Sequence, residues 1–208
     1  MTPGGQMIRL LGAVSLLCGL LIVGTERSTV ARIRSNQETI LRESVARLLP
    51  GIEKQIIYTI QPNGELAIAA SSEAAGPRFF AGYDASGKFL GIVIEASERG
   101  YADVISALYS YSPETQSITG FQVIDMKETP GLGNKISSDP GFLENFKNLD
   151  ATHPITAVKH GAKKNAWEID AISGATISSR AVGRMLQKSI QEIAPVIQRS
   201  RDRIERGQ

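Results

Sequence analysis

Apolar residues dominate the start of the chain, where Leu10 to Gly24 carry almost no polar side chain. A transmembrane helix needs about 20 such residues, and Met7 and Ile8 lengthen the run. A signal-peptide core is the alternative interpretation, because Arg9 gives the run a positively charged start. No Ala-x-Ala-type cleavage site follows, so we predict an uncleaved membrane anchor over residues 1–25.

In the next stretch, apolar residues recur at the spacing of an α-helix. Its apolar positions are Val30, Ile33, Ile40, Leu41, Val45 and Leu48. This spacing places them on one face of a helix, and the pair Pro50-Gly51 ends it. We therefore predict a connecting amphipathic helix over residues 26–50, followed by one folded domain over residues 51–208.

Short apolar runs separated by turn residues come next, a pattern typical of antiparallel hairpins. The predicted strands are 55–60, 65–70, 79–83, 89–95, 104–111 and 118–126. Pro62-Asn63-Gly64 predicts a turn, and the small polar residues of 71–77 predict a loop. Residues 79–95 and 104–126 share one pattern, which predicts a duplicated hairpin. At the entry to the second hairpin, Gly100-Tyr101 predicts a turn with a core aromatic.

The last third of the domain mixes helices with short strands, which makes the predicted fold class α+β. A short helix is predicted over 141–147, and strands over 155–158 and 166–169. The final helix begins near Ser178 and buries one periodic face, formed by Val182, Leu186, Ile190, Ile193 and Ile197. Pro195 is predicted to kink or interrupt it. The charged residues 199–206 predict a solvated tail, or alternatively a docking surface.

Composition narrows the function classes. The chain has 208 residues, of which 42% are hydrophobic and 21% charged, as in an ordinary globular protein. A net charge of +2 without a basic stripe gives no support for a nucleic-acid partner. A single cysteine cannot build a disulfide, a thiolate zinc site or an iron–sulfur cluster. His153 and His160 accompany no carboxylate pair, so we predict no metal site.

The candidate chemistry lies between a strand-like run and the final helix, in Asp170 to Ser179. Gly174 permits a tight turn, and Thr176 or Ser178 is well placed to be the helix N-cap. Free amides and the helix dipole would stabilise a phosphate there. On these residues alone, a capped strand–turn–helix corner is the simpler interpretation.

The string Asp170-x-x-Ser173-Gly174-Ala175-Thr176 resembles a flavinylation signature. Proteins with that signature carry FMN attached through its phosphate to the hydroxyl of the last threonine. The resemblance implies a phosphoester to Thr176 as the cofactor link. It also implies that Asp170 and Ser173 shape the corner and bind either the phosphate or the flavin transferase, while Gly174 and Ala175 must stay small.

A second motif lies upstream, where Pro-Gly within residues 128–133 (Glu-Thr-Pro-Gly-Leu-Gly) predicts a type II turn. The two motifs together resemble the FMN-binding domain shared by the G subunit of the Rnf electron-transport complex and the C subunit of the sodium-pumping NADH:quinone oxidoreductase. The resemblance covers most of the chain, and the short length is more similar to the Rnf protein. It implies that Glu128, Thr129, Leu132 and Gly133 lie at the flavin ring; Trp167 is a further stacking candidate or a core residue.

The resemblance implies a covalently flavinylated electron-transfer subunit of a membrane-bound, ion-translocating oxidoreductase complex, without a catalytic centre of its own. Its implied partners are membrane, iron–sulfur and flavin subunits of an Rnf-type complex, and a separate flavin transferase that attaches the FMN. The implied location is the inner membrane, single-pass, with the large domain in the periplasm. Arg27, Arg32 and Arg34 follow the anchor while Arg9 precedes it, so the positive-inside rule favours the opposite orientation.

Two other function classes remain open at this point. One is a stand-alone extracytoplasmic FMN-binding redox protein that feeds another electron chain. The other is a non-redox anchored binding module with a vestigial motif. Neighbouring genes for Rnf-type subunits would favour the complex, and the absence of a yellow chromophore would favour the binding module.

Overall fold

The computed structural model describes residues 3–61, 64–69 and 77–207. The chain divides into two compact units, Met1–Leu41 and Arg42–Gln208. The predicted turn at Pro62-Asn63 and all but the last residue of the predicted loop over 71–77 lie outside the described residues.

A single long helix, α1 (Pro3–Leu48), contains both the predicted anchor and the predicted connecting helix. Within the first unit, Pro3–Val30 is long and apolar enough to cross a bilayer, and none of its most apolar stretch is buried by protein. Hydrocarbon side chains exposed along a whole helix are stable in lipid rather than in water. This segment fits a single-pass membrane anchor.

The second unit is built on a large antiparallel sheet, which confirms the predicted α+β class. Its strands are β1 (Lys54–Ile60), β2 (Leu66–Ile68), β3 (Arg78–Tyr83), β4 (Phe89–Arg99), β5 (Val104–Ser112), β6 (Ser117–Met126) and β7 (Leu149–Asp150). Among the described residues they lie in the order β2-β1-β3-β4-β5-β6-β7. The two predicted hairpins, β3-β4 and β5-β6, are therefore adjacent in the sheet, and β4 pairs with β5 from Ile92 opposite Tyr111 to Arg99 opposite Val104.

The other elements follow β6. They are a 3-10 helix (Gly133–Ser137), α2 (Pro140–Glu144), β8 (Thr156–Val158), β9 (Glu168–Asp170), α3 (Thr176–Arg199) and α4 (Arg201–Glu205). The predicted helix over 141–147 is shorter than expected and ends at Glu144. Although only a nine-residue connection separates them, β8 and β9 pair in parallel, with Ala157 opposite Ile169.

The two faces of the sheet are covered by different helices of the second unit. On one face α3 buries its apolar side against the core formed by β3, β4 and β5. On the other face the end of α1 packs so closely that a Cβ on Gly82 would lie 2.8 Å from Leu49, and one on Gly120 would lie 2.9 Å from Leu48. The absence of side chains at these glycines lets the helix end approach the sheet.

The structure contradicts the predicted interruption at Pro195 and the predicted solvated tail. The final helix is not interrupted at Pro195 but continues to Arg199, because Val196 and Ile197 stay buried in the core beyond it. The charged residues 199–206 are not a solvated tail, because they include α4, which buries Ile204 at 1% exposure. The Tyr83 hydroxyl donates a hydrogen bond to the carbonyl of Ile204, so α4 is fixed to the sheet.

Candidate functional site

The predicted corner between β9 and α3 is a tight turn. The amide of Ala175 donates to the carbonyl of Ile172 at 3.0 Å, and Gly174 has φ +80°, a backbone conformation that glycine adopts without strain. The first backbone bond of α3 runs from the Ser179 amide to the carbonyl of Ala175.

The N-cap prediction is wrong. Ala175 holds the N-cap position, without a side-chain cap, and Thr176 is the first residue of the helix. The physical reason is that the nearby serines bond elsewhere: the Ser178 hydroxyl donates to Glu128 at 3.0 Å and the Ser179 hydroxyl donates to the carbonyl of Ala175 at 3.0 Å. The amides at the start of α3 therefore lack the usual side-chain acceptor.

The hydroxyls of this corner differ in accessibility. Ser178 is 2% exposed and Ser179 fully buried, and Ser179 also accepts a bond from the Ile172 amide at 3.1 Å. Thr176 is half-buried, and its hydroxyl makes no hydrogen bond to any part of the chain that the structure describes. Ser173 is exposed on the turn. Thr176 is thus the one hydroxyl of the first helical turn left open to a reagent, within the described residues.

The upstream motif forms the second wall of the site. The Leu132 amide donates to the carbonyl of Thr129 at 3.2 Å, and Gly131 has φ +76°, as a type II turn requires at its third residue. Leu132 remains 47% exposed, and a Cβ on Gly174 would lie 3.3 Å from it. The fold therefore brings the two predicted motifs into contact.

Glu128 joins these two motifs to a third segment. Its Oε1 accepts from the amides of Tyr101 at 2.7 Å and Ala102 at 3.2 Å, and its Oε2 accepts from the Ser178 hydroxyl at 3.0 Å. The side chain is only 8% exposed. Its carboxylate is thus bonded within the protein, and Glu128 positions the start of α3.

Two glycines make room for this carboxylate. A Cβ on Gly133 would lie 2.5 Å from the Glu128 Oε2 and 2.8 Å from the Ser178 hydroxyl. A Cβ on Gly100 would overlap the Glu128 Oε1. Gly133 is buried, so its place in the motif follows from close packing around Glu128.

Tyr101 is a site residue that sequence reasoning placed wrongly. It was predicted to be a core aromatic, but its side chain is 65% exposed. The hydrogen bond that its backbone amide donates to Glu128, which also accepts from Ser178, places the backbone of Tyr101 near the first turn of α3. The only signal in the sequence was the Gly-Tyr pair itself, because the periodicity of β5 begins after it.

Asp170 stabilises a neighbouring turn. Its Oδ1 accepts from the Gly161 amide at 2.7 Å, and its Oδ2 lies 3.4 Å from His160 Nδ1. Its own amide donates to Asn145 Oδ1 at 3.0 Å. Asp170 therefore connects β9 to the loop that follows β8.

Trp167 stacks on an imidazole. Its ring lies 4.3 Å from that of His153, with an angle of 19° between the two planes. This contact occupies one face of the indole ring.

Glu98 is a residue of β4, and its side chain links this strand to α3. It lies 2.5 Å from Lys188 Nζ and 3.8 Å from Arg184 Nε, and the hydrogen bond from Lys188 holds the pKa of this carboxyl below its usual range. A carboxyl whose pKa is lower in the folded state stabilises the fold above its unfolded pKa, and this stability is lost as pH falls through its folded pKa.

We therefore expect the destabilising effect of Glu98→Gln to be fully present at pH 7 and to be smaller at pH 3, because the stabilisation by the carboxylate declines as pH falls below the unfolded pKa. Urea unfolding of both proteins at the two pH values measures it. An equal difference at both pH values would contradict the prediction. Arg206→Ala, a change of an exposed side chain, is the control and should be neutral at both.

The comparisons with known proteins agree with this geometry. A sequence model described as the FMN-binding domain matches residues 100–191, the span that contains both motifs. A relative from Methanosarcina acetivorans, described as the G subunit of an ion-translocating oxidoreductase complex, is 30% identical over 184 residues, covering 87% of this chain and 89% of that protein.

Two further proteins are similar over smaller or more distant regions. The G subunit of the proton-translocating ferredoxin:NAD(+) oxidoreductase complex of Clostridium ljungdahlii is 34% identical over 106 residues, which cover 51% of this chain and 55% of that protein. The crystal structure of Shewanella oneidensis NqrC superposes with a TM-score of 0.57 at 21% identity, covering 71% of this chain and 84% of that one. At this identity the likeness concerns the fold.

Proposed function

Because this chain belongs to the family of G subunits of ion-translocating oxidoreductase complexes, with an FMN-binding domain, we propose that it carries FMN as a phosphoester on Thr176. In this proposal it passes electrons within a membrane-bound complex of the Rnf type. The carrying observation is that Thr176, in the signature position, keeps a hydroxyl unbonded to the described residues while Ser178 and Ser179 are buried and bonded.

The residues present fit a flavin phosphate. The amides of Thr176, Ile177 and Ser178 have no acceptor among the described residues, and amides at a helix start favour a negatively charged group. Gly174 keeps the approach free of a side chain, and Ala175 adds only a methyl group. Thr176 would hold the phosphate, and Leu132, which is exposed next to Gly174, offers apolar surface for a flat ring.

FMN would supply the electron-accepting and electron-donating chemistry, and the protein supplies placement. The covalent link keeps the flavin from dissociating. Glu128 fixes the 128–133 loop and the segment around Tyr101 against α3, so the surfaces that would flank the ring keep a fixed spacing. Gly133 has its place in the same packing, and Thr129 contributes the carbonyl that closes the turn.

The proposal includes partners and an assembly step. The relatives are named as subunits of ion-translocating oxidoreductase complexes, so membrane, iron–sulfur and flavin subunits are the proposed partners. No group in the described corner activates the Thr176 hydroxyl by hydrogen bonding, which supports attachment by a separate flavin transferase. Residues 1–25 are the proposed anchor, 26–50 the connecting helix and 51–208 the flavin domain.

Peptide mapping tests the function directly. The full-length protein is made together with a flavin transferase and digested with trypsin, which cleaves after Lys164 and Arg180. We expect peptide 165–180 to gain the mass of FMN less one water, with fragmentation locating the addition at Thr176. An unmodified peptide in a folded protein made with active transferase would contradict the proposal.

The proposed orientation places the flavin domain on the periplasmic side, against the positive-inside count at Arg9 and Arg27. Its support is the family alone. In sealed inner-membrane vesicles of known sidedness, protease added from the periplasmic face should remove the domain after residue 50. Cleavage only from the cytoplasmic face would contradict this orientation and leave the flavin site untouched.

A further inference from the structure

The helix α3 carries cationic side chains at four-residue intervals after Thr176. These are Arg180, Arg184 and Lys188. Residues four apart on a helix share a face, with about 5–6 Å between successive Cβ atoms. Thr176 therefore stands at the N-terminal end of a positively charged row.

The second and third members of this row are bonded to β4. Arg184 donates to the carbonyl of Arg99 at 3.2 Å and lies 3.8 Å from Glu98, and Lys188 lies 2.5 Å from Glu98. Their charges are balanced by that carboxylate. They serve the packing of α3 on the sheet.

Arg180 differs from both. Its side chain is exposed, and it forms no ion pair or hydrogen bond with any residue in the ranges that the structure covers. A long side chain in a helix leans toward the N-terminus, over the turn that precedes its own Cα. The turn that precedes Arg180 is the one that begins with Thr176.

We propose that Arg180 binds the phosphate of the flavin ester on Thr176. This inference rests on the proposed function and adds a residue to its site. The guanidinium is planar and presents paired N–H groups that match two phosphate oxygens, which makes arginine well suited to a phosphodiester. The free amides of the first turn bind the phosphate from the helix axis, and Arg180 binds it from the helix surface.

The binding would act at two stages. During attachment it orients the incoming phosphate beside the Thr176 hydroxyl, and afterwards it restrains the finished ester. Loss of a hydrogen bond to a charged group of this kind corresponds to about a tenfold or larger change in the rate of covalent loading.

The test uses the full-length protein in detergent with a purified flavin transferase and FAD. The rate of loading is followed as flavin fluorescence on denaturing gels, and the finished ester is observed by phosphorus NMR. We compare Arg180→Gln and Arg180→Lys with the matched control Arg184→Gln. Arg184 lies on the same face one turn further along.

We expect Arg180→Gln to load about tenfold more slowly or worse and to shift the phosphorus resonance, with Arg180→Lys intermediate. Arg184→Gln should match the wild type in both measurements. Complete failure of Arg180→Gln to load, while it remains folded by circular dichroism, also supports the proposal. If Arg180→Gln does not fold, Arg180→Lys decides: a wild-type rate and resonance overturn the inference.

Wild-type loading and an unchanged resonance in Arg180→Gln overturn the role of Arg180, while leaving the flavin on Thr176. An equal loss in Arg184→Gln also overturns it, because the effect then belongs to the charge of the whole face. If the wild-type protein takes up no covalent flavin, the proposed function itself is contradicted. Failure of the Arg180 inference and failure of the proposed function therefore give different results.

Discussion

Thr176→Ala is expected to abolish covalent flavin completely while the protein stays folded. The alternative serines cannot replace the lost hydroxyl, because Ser178 and Ser179 are 2% and 0% exposed and both are hydrogen-bonded. Since the Thr176 hydroxyl makes no bond to the described residues, its removal leaves no polar group without a partner. The measurement is flavin fluorescence of the full-length protein on a denaturing gel, after production with a flavin transferase.

Two matched variants make this result specific. Thr176→Ser keeps a hydroxyl at the same backbone position and should keep a fluorescent band. Ser173→Ala removes the exposed hydroxyl of the same turn and should keep a fluorescent band, because a supporting contact to the phosphate is not the point of attachment. Fluorescence that survives Thr176→Ala but disappears in Ser173→Ala would place the ester on Ser173 and refute our assignment.

Glu128→Ala is expected to lower the free energy of unfolding by about 3 kcal/mol. The change leaves the partly buried amides of Tyr101 and Ala102 and the buried hydroxyl of Ser178 without their acceptor, and donors that are shielded from water and unpaired are costly. It also opens a void under the start of α3. Denaturant titration of the flavin-free protein measures the loss, followed through a signal from the second unit.

Glu128→Gln is the control that separates hydrogen bonding from charge. Its oxygen can still accept from the two amides, and its NH₂ group can donate to the Ser178 hydroxyl. We expect it to cost less than about 1 kcal/mol, within the range of a single reorganised hydrogen bond. Equal losses in both variants would show that the negative charge, and not the set of hydrogen bonds, holds the segments together.

Thr176 and Glu128 have different roles in the proposed site. Thr176 offers the attachment point, and Glu128 holds three chain segments at fixed positions around it. The segments come from the loop before β5, the loop after β6 and the start of α3. Substitutions at the two residues should therefore affect the flavin differently. A change at Thr176 removes the covalent bond to the flavin, and a change at Glu128 loosens the chain segments around it.

Much of the sheet could be predicted from local pattern. Strand pairs such as β3-β4 and β5-β6 are set by alternating apolar residues and by turn residues such as Gly87. The turns at Gly131 and Gly174 were predictable for the same reason, because a positive φ strongly favours glycine. These features depend on residues that are neighbours in sequence.

The role of Glu128 could not be predicted from the pattern of apolar and polar residues. Its partners lie 27, 26 and 50 residues away in sequence, and no periodicity records such contacts. The N-cap prediction failed for the same cause, because the distant Glu128 took the hydroxyl of Ser178. Tyr101 was misplaced since its exposure is decided by what packs around the loop, not by its own apolar ring.

The C-terminal errors have a related origin. The low helix propensity of proline predicts a break in α3 at Pro195, and the charge of residues 199–206 predicts a solvated tail. The burial of Ile197 and Ile204 in the core outweighs both tendencies. The sequence by itself determined the apolar N-terminal helix, the hairpins, the two motif turns and the family. Only the tertiary structure decided which hydroxyl stays open and which arginine of α3 stays unpaired among the described residues, because both depend on partners brought together from distant parts of the chain.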